Sequence, residues 1–327
     1  MNERLQDVAM NFGCKGVKSL AACAIALTFV LAGCASAPTT SGDASTRRKS
    51  DLYEGAPQTI FATELPVESA EEARARAAAA LDDRNTDLAL YMYIRAVELD
   101  ASDSDSLYNI GTIHGRRGNT ALATKAYARA VYVNPEHARA LEELGLAYLD
   151  ARDMAQAEAM LDRAVTADRG LWRAHNALGV IDDTRGNYAR ATSHYDEALK
   201  LRPGTASILN NRGYSRYLVQ AWDAAEADFL AAVAADPEYD RAWHNLGLVY
   251  ARQHKYAIAV RTLSRVMEAH VASNDIGYIA MLDRDYTAAA TLFAEAIRLS
   301  PRYYKTAEDN TVELRRRRAE VAVAMDR

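Results

Sequence analysis

The chain has 327 residues, of which 50% are hydrophobic, 25% charged and 8% aromatic, and its formal net charge is −5. Alanine richness and this share of charged residues fit a helical protein and exclude disorder of the whole chain. The mild negative charge gives no support to a nucleic-acid partner, for which a basic face is expected.

The chain begins with the features of a secretory signal. Lys15 and Lys18 precede an apolar run from Leu20 to Leu31, which is too short for an ordinary membrane-spanning helix. The run ends in Leu31-Ala32-Gly33-Cys34, which resembles the bacterial lipobox. That resemblance implies a lipoprotein signal peptide over residues 1–33, cleavage before Cys34 and a lipid on its thiol. The alternative is a plain secreted protein or a buried cysteine.

Cleavage at this point leaves Cys34 as the only cysteine of the mature chain, so no internal disulfide can form. The next residue is Ala35, where an aspartate often signals inner-membrane retention in enteric bacteria. By that analogy we expect a lipid-anchored protein of the cell envelope, at the periplasmic face of the outer membrane. The sequence leaves open whether translation starts at Met1 or Met10.

Residues 34–69 are rich in Ala, Ser, Thr, Pro and Gly and show no apolar periodicity. Such a composition predicts a flexible linker between the lipidated cysteine and the rest of the chain. The domain prediction is therefore a signal peptide, this linker, a repetitive array over residues 70–303, and a C-terminal helix and tail over residues 304–327.

The array repeats every 34 residues. Alanines keep this spacing at Ala89, Ala123, Ala157, Ala191, Ala225 and Ala259. Glycines keep it at Gly111, Gly145, Gly179, Gly213 and Gly247, and large apolar residues keep it at Tyr93, Tyr127, Leu161, Tyr195, Phe229 and Leu263. The small residues allow two helices to approach closely, and the large residue fills the space that they leave. The period therefore predicts stacked helix pairs, none of which buries its apolar face alone.

These residue types resemble the tetratricopeptide repeat, whose pattern is W-x2-L-G-x2-Y, then A-x3-F, then P. Residues 240–259 match it most fully, through Trp243, Leu246, Gly247, Tyr250 and Ala259. The resemblance implies an all-α fold, namely a right-handed superhelix (an α-solenoid) of about seven helix pairs plus a C-terminal capping helix. The expected pairs are 70–103, 104–137, 138–171, 172–205, 206–239, 240–269 and 270–303.

Both ends of the array and its sixth unit depart from the pattern. The first unit is degenerate, as expected of a cap. The sixth unit is four residues short near Val271, and the sequence leaves open whether this makes a hinge. After Pro301, we expect a helix that shields the last unit. Its predicted apolar side consists of Tyr303, Tyr304, Val312 and Leu314, with Arg315–Arg318 facing water.

In this family the first helix of each unit lines a concave groove, and the resemblance carries those positions over residue by residue. The implied peptide groove consists of Tyr108, Asn109, Arg139, Arg173, Asn176, Asn210, Asn211, Tyr214, Tyr217, Arg241, His244, Asn245, Asn274 and Tyr278. Asparagine can pair with both N–H and C=O of an extended peptide, and Tyr and Arg are enriched at binding hot spots.

None of these groove residues is expected to be needed for packing, so we predict that they bind a protein or peptide client. The asparagine series is interrupted by Glu143, Ala177 and Asp275, which favours the half from Arg173 to Tyr278. The alternative is that asparagine is simply common at the sixth position of bacterial repeats.

Enzyme signatures are weak, and we predict no enzymatic activity, cofactor or metal. The sequence contains no phosphate-cradling Gly-rich loop, no Gly-x-Ser-x-Gly elbow and no His-Glu-x-x-His helix. His114 occupies a packing position and is expected in the core. Asp182 and Asp183 are adjacent, so they point to different sides of a helix and cannot share a substrate.

The order of lipobox, short linker and repeats is similar to that of the tight-adherence (Flp) pilus-assembly lipoproteins of the TadD family. The stretches Asn274–Tyr278 and Ala296–Pro301 add to this similarity. The resemblance implies a membrane-tethered scaffold that positions a secretin or another pilus component. Two alternatives remain open: an adaptor for peptidoglycan hydrolases or other envelope enzymes, and an enzyme with an unrecognised site in the groove.

Overall fold

The structure is a computed structural model that describes the backbone of residues 66–325 and side chains as far as residue 321. Within that range the chain forms fifteen helices and no strand. The prediction of an all-α fold is confirmed. The predicted signal peptide, Cys34 and nearly all of the predicted linker lie outside the described residues.

The fifteen helices follow one another with short turns. They are α1 (Ala70–Asp82), α2 (Thr86–Leu99), α3 (Ser104–Arg116), α4 (Thr120–Val133), α5 (Ala138–Asp150), α6 (Met154–Ala167), α7 (Trp172–Thr184), α8 (Tyr188–Leu201), α9 (Ala206–Leu218), α10 (Trp222–Ala235), α11 (Asp240–Arg252), α12 (Tyr256–Leu263), α13 (Ala269–Leu282), α14 (Tyr286–Leu299) and α15 (Lys305–Met325). Each odd-numbered helix from α1 to α13 packs most extensively on the even-numbered helix that follows, and each pair packs on the next. The described chain is therefore a solenoid of seven helix pairs followed by one further helix.

In the second to seventh pairs, a glycine of the first helix lies directly under a large side chain of the second. The first pair has Ala77 at that position. A Cβ atom built on Gly111 would be 2.5 Å from Cε1 of Tyr127, and one built on Gly145 would be 2.7 Å from Cγ of Leu161. Gly179 stands in the same relation to Tyr195, at 2.5 Å. The expected close approach of the two helices is thus confirmed, and no other residue type fits there without movement.

The turn inside each pair contains one residue in the left-handed backbone region. These residues are Arg84, Gly118, Arg152, Gly186, Gln220, His254 and Arg284, with φ between 59° and 79°. Glycine adopts this conformation freely, whereas other residue types adopt it at a cost of order 1–3 kcal/mol. Five of the seven units therefore close their turn with a strained residue, a feature that the sequence did not reveal.

The sixth pair is shortened in its second helix. Helix α12 has 8 residues, whereas α14 has 14. Arg252 of α11 bonds to the units on both sides of the sixth pair. Its Nε donates to Oη of Tyr217 at 3.2 Å, and its Nη1 donates to Oδ1 of Asp283 at 2.5 Å. One guanidinium thus links the fifth, sixth and seventh units where the second helix is short.

Helix α15 has the register of a first helix. Ala307 and Leu314 are buried at the third and tenth positions, as Ala242 and Val249 are in α11. The predicted apolar side is only partly correct, since Tyr303 is 78% exposed and Val312 is 62% exposed. Val312 occupies the eighth position, which a second helix covers in the other units, and no second helix follows α15 in the part of the chain that the structure describes.

Candidate functional site

The first helices of neighbouring units are joined by hydrogen bonds between asparagine side chains. Nδ2 of Asn211 donates to Oδ1 of Asn176 at 3.0 Å, and Nδ2 of Asn245 donates to Oδ1 of Asn210 at 2.8 Å. A third bond joins Asn310 of α15 to Asn274 at 2.9 Å. Each bond connects the sixth position of one unit with the fifth position of the unit before it. We call these three pairs the asparagine ladder.

The ladder corrects the expectation that these amides have no role in packing. Asn210 and Asn274 are only 5% and 4% exposed, so their side chains lie between helices and are not open to a ligand. Asn176, Asn211 and Asn245 are half-buried, so part of each residue stays accessible to solvent. Sequence reasoning missed Asn310, although its position counted from Lys305 equals that of Asn245 counted from Asp240.

The ladder predicts unequal effects of two similar substitutions. Asn245→Ala removes the bond to a buried partner, Asn210, and an unsatisfied buried amide costs about 1–3 kcal/mol. Asn211→Ala removes the bond to Asn176, which is half-buried and can turn to water. We therefore expect Asn245→Ala to lower the free energy of unfolding more than Asn211→Ala does, as measured by urea denaturation. Equal losses for the two variants would show that the burial of the partner does not set the cost, and no loss in either would contradict the ladder as a source of stability.

Two of the four groove residues before Asn176 are engaged with the array itself. The ring of Tyr108 packs 5.3 Å from His137 and 5.9 Å from Tyr127. Arg173 donates to both carboxylate oxygens of Glu143, at 2.5 and 3.3 Å. Glu143, which appeared to interrupt the groove, is thus the partner of a predicted groove residue. Arg139, in contrast, is exposed, and Asn109 is half-buried.

The later part of the groove is aromatic. Tyr214 and Tyr217 lie in parallel planes with ring centroids 6.2 Å apart, and Trp222 meets Tyr217 edge-on at 5.0 Å. Tyr278 is half-buried beside the core of the seventh unit, and Arg241 is exposed. Tyrosines therefore line the first helices α9 and α13, and Trp222 of the second helix α10 packs beside Tyr217.

Two titratable groups in this part of the groove are shifted toward their neutral forms. Burial lowers the pKa of His244. Burial also raises the pKa of the Asp275 carboxyl, although the amide of Asn274, 3.2 Å away, lowers it in part. Burial thus opposes the charged form of both side chains in the last units of the groove.

An apolar strip runs beside the ladder at the ninth position of the first helices. It consists of Leu146, Val180, Tyr214, Leu248 and Tyr278. All are half-buried except Leu248, which is 9% exposed. Sequence reasoning singled out only the two tyrosines, although the repeat spacing places all five on one face. A half-buried apolar strip beside amide groups is suited to a polypeptide ligand, which offers both apolar side chains and backbone polar groups.

A second polar cluster lies inside the fourth unit. Nε2 of His194 is 3.7 Å from Oδ2 of Asp182, and the ring of His175 is 5.9 Å from that of His194. Asp183 instead accepts a hydrogen bond from Oη of Tyr195 at 2.8 Å. As predicted, the two adjacent aspartates meet different partners. His114 is fully buried, which confirms its assignment to the core.

This cluster predicts how stability depends on pH. Burial lowers the pKa of both His175 and His194, so the folded protein favours their neutral rings. Their contribution to the free energy of unfolding is complete above the unfolded-state pKa near 6.5. It is lost as the pH falls through their folded-state pKa values. We expect a smaller free energy of unfolding at about pH 5.5 than at about pH 7.5.

The double variant His175→Gln/His194→Gln should flatten this dependence in denaturation series at the two pH values. Burial raises the pKa of Asp162 and Asp183. Protonation of these carboxyls at still lower pH favours the folded state, which opposes the effect of the histidines, so the comparison ends at about pH 5.5. If the free energy of unfolding depended on pH as strongly in the double variant, groups other than these two histidines would cause that dependence.

Among residues 66–325, no group of three or more His, Cys, Asp or Glu side chains is placed to hold a metal ion. None of the helices described there combines the length and the hydropathy that crossing a membrane requires.

Comparison with known proteins identifies the repeat. Residues 108–171, 176–240 and 244–304 match the family model described as "Tetratricopeptide repeat", and together these matches cover more than half of the chain. A crystal structure of a tetratricopeptide repeat protein from Parabacteroides merdae is similar over 75% of this chain and 98% of its own, with 17% identity and a TM-score of 0.50. That likeness concerns the fold alone.

Two curated proteins share shorter stretches with the chain. "Inactive TPR repeat-containing thioredoxin TTL3" of Arabidopsis thaliana is 35% identical over 68 residues, which are 21% of this chain and 10% of that protein. "Small glutamine-rich tetratricopeptide repeat-containing protein 2" of Saccharomyces cerevisiae is 27% identical over 127 residues, 39% of this chain and 36% of that protein. The chain therefore spans about a tenth and about a third of these two relatives.

Proposed function

Because the chain belongs to the tetratricopeptide repeat family, we propose that it is a scaffold that binds peptide segments of partner proteins along the inner face of its array. The family implies a protein-interaction role. The single observation that carries the peptide site is the apolar strip, in which Tyr214 and Tyr278 are half-buried at the ninth positions of α9 and α13, while half-buried Asn211 and Asn245 occupy the sixth positions of α9 and α11. Tyrosine presents a large, rigid contact area with a polar tip, which suits it to such a surface.

The setting that we propose is the bacterial cell envelope. The lipobox-like sequence Leu31-Ala32-Gly33-Cys34 supports a lipid anchor on Cys34, and the similarity to tight-adherence pilus-assembly lipoproteins supports a pilus or secretin component as the client. A tethered groove acts by mass action, since it raises the local concentration of its client at the membrane. In this role the protein needs no catalytic residue, cofactor or metal.

The binding site is tested by affinity capture from detergent-solubilised envelopes. Tyr214→Ser/Tyr278→Ser removes two rings from the inner face, whereas Tyr132→Ser removes an 86%-exposed ring from α4, a second helix. These are better probes than the asparagines, whose loss also breaks the ladder. We expect the captured proteins to disappear with the double variant and to remain with Tyr132→Ser. Equal capture by all forms would place binding elsewhere.

The identity of the captured proteins separates the candidate clients. Secretin or other pilus proteins would support the pilus role, while wall hydrolases without pilus proteins would favour an adaptor for peptidoglycan enzymes. The anchor is tested separately by mass spectrometry of the mature N-terminus, where we expect acyl chains on Cys34. A bare thiol at that residue would contradict the proposed lipid anchor but not the proposed peptide site.

A further inference from the structure

Helix α15 exposes a side that the earlier first helices cover with a second helix. Ala307 and Leu314 are buried, and α15 packs on the seventh unit, whereas Val312 is 62% exposed. With 3.6 residues per turn, Val312 lies on the side of the helix opposite to these two residues. Its neighbours on this side are exposed or half-buried, and with Val312 they form the outer stripe of α15: Glu308, Asp309, Val312, Arg315, Arg316 and Ala319.

The outer stripe is not built for a second helix of the usual kind. The second to seventh units have glycine at the position of Val312, and a Cβ built on those glycines would lie 2.5–2.9 Å from the side chain above it. Valine at this position leaves no room for that close approach. A helix that covers the outer stripe must therefore pack on a valine flanked by charged side chains.

The charges of the outer stripe reverse their sign at Val312. Glu308 and Asp309 precede it by four and three residues, and Arg315 and Arg316 follow it by three and four. Arg316 is bonded within its own helix. The side chains of Glu308, Asp309 and Arg315 form no hydrogen bond or ion pair in the described part of the chain. Three of the four charges are therefore available to a partner.

This order of charges is complementary to itself in one orientation. At a rise of about 1.5 Å per residue, Glu308 lies about 6 Å before Val312 and Arg315 lies about 4.5 Å after it. If a second α15 packs antiparallel with the two Val312 side chains opposed, Glu308 of one copy is level with Arg315 of the other to within about 1.5 Å. Asp309 and Arg316 match in the same way. A parallel copy would instead place Glu308 against Glu308.

We propose that two copies of this chain associate through the outer stripes of antiparallel α15 helices, with Val312 on the two-fold axis. A two-fold axis requires the charges to reverse about one residue, and each ion pair then occurs twice. An unrelated partner would place no such condition on the stripe. This inference does not depend on the peptide site of the inner face.

The expected interface is small, so the association should be reversible. Helix α15 has 21 residues, which corresponds to a length of about 30 Å. One pair of such helices buries less than the roughly 1,600 Å² of a standard protein–protein interface. Exposed ion pairs are screened by salt, so the fraction of dimer should fall as the ionic strength rises.

The test is disulfide crosslinking of the full chain under mild oxidation, with one cysteine introduced into the outer stripe. Val312→Cys places the two thiols at the two-fold axis, whereas in Ala319→Cys they are about 21 Å apart along the helices. A disulfide needs Cα atoms about 4.4–6.8 Å apart. We expect at least about tenfold more linked dimer from Val312→Cys than from Ala319→Cys. The wild type, which has Cys14, Cys23 and Cys34, gives the background.

Charge exchange in the Val312→Cys chain tests the pairing directly. Arg315→Glu and Glu308→Arg each oppose like charges on both sides of the axis, so each should lower the dimer yield at least about tenfold. The double variant Glu308→Arg/Arg315→Glu exchanges the signs and should recover the yield. A mixture of the two single variants should also recover it, because each copy then meets the opposite charge. Far-UV circular dichroism checks that every variant is folded.

The remaining outcomes each decide against the inference. Equal linking at positions 312 and 319 would indicate parallel helices, and linking at neither would show that the outer stripes do not meet. Undiminished yields in the single charge variants would show that these charges do not select the partner. A disulfide from position 312 to a different protein would mean that another partner covers α15. Tyr214→Ser/Tyr278→Ser should leave the yield unchanged, which separates this contact from the proposed peptide site.

Discussion

Replacing Asp228 with alanine is expected to lower the free energy of unfolding by about 3–5 kcal/mol, the usual cost of removing one partner from a buried ion pair. Asp228 is 3% exposed. It accepts two bonds from Arg212, at 3.0 and 2.6 Å, and one from Arg216 at 2.7 Å. Without it, Arg216 loses this acceptor and Arg212 keeps only its 2.7 Å bond to Asp196. Urea denaturation followed by far-UV circular dichroism measures the loss.

A double variant provides the control, because another unit shows which apolar pair fits the same place. Leu144 and Met160 occupy in the third unit the positions that Arg212 and Asp228 occupy in the fifth. Replacing a buried ion pair with apolar residues of similar volume is often neutral. Arg212→Leu/Asp228→Met should therefore recover most of the lost stability. If the double variant were as unstable as Asp228→Ala, an uncompensated charge would not explain the lost stability.

Two glycines of α3 are expected to respond in opposite directions to the same change. A Cβ on Gly111 would lie 2.5 Å from Cε1 of Tyr127, a buried ring, so Gly111→Ala forces the second helix to move and should cost about 1–3 kcal/mol. A Cβ on Gly115 would meet its nearest atom, Oη of Tyr127, at 3.7 Å, which is ordinary contact. Gly115→Ala should stabilise the chain by up to about 1 kcal/mol through helix propensity.

The same denaturation assay checks this pair, and each variant serves as the control for the other. The helix and the contacted ring are the same, so only the available space differs between the two sites. A Gly111→Ala protein at least as stable as the wild type would show that the two helices can separate freely, which the close packing of the pair does not allow.

The fold could be predicted because small and large residues recur with the period of the repeat. Gly179 and Tyr195 recur with their equivalents every 34 residues, and only a stack of equal helix pairs needs a small and a large residue at that spacing. The turns were not predictable, because Arg152 and Gln220 adopt a backbone conformation that their residue types rarely take. There the packing of the flanking helices overrides local preference.

The sequence predicted which helices line the groove but not which groove side chains bond to one another. The sequence shows Asn210 and Asn245 at their positions, but only the packing of successive first helices reveals that one amide bonds to the other. The ion pair of Asp228 could not be predicted from the repeat, since the equivalent position holds methionine, alanine, histidine, threonine or leucine in other units. Val312 was misplaced because its exposure depends on a second helix that does not follow α15 in the described chain.

The proposed function requires that the inner face of the array, formed by the first helices, holds another polypeptide. The most direct test is photocrosslinking in cells, with p-benzoylphenylalanine replacing either Tyr214 on the first helix α9 or Tyr132 on the second helix α4. We expect a discrete crosslinked product from position 214 and none from position 132. A product from position 132 alone, or the same product from both, would contradict it.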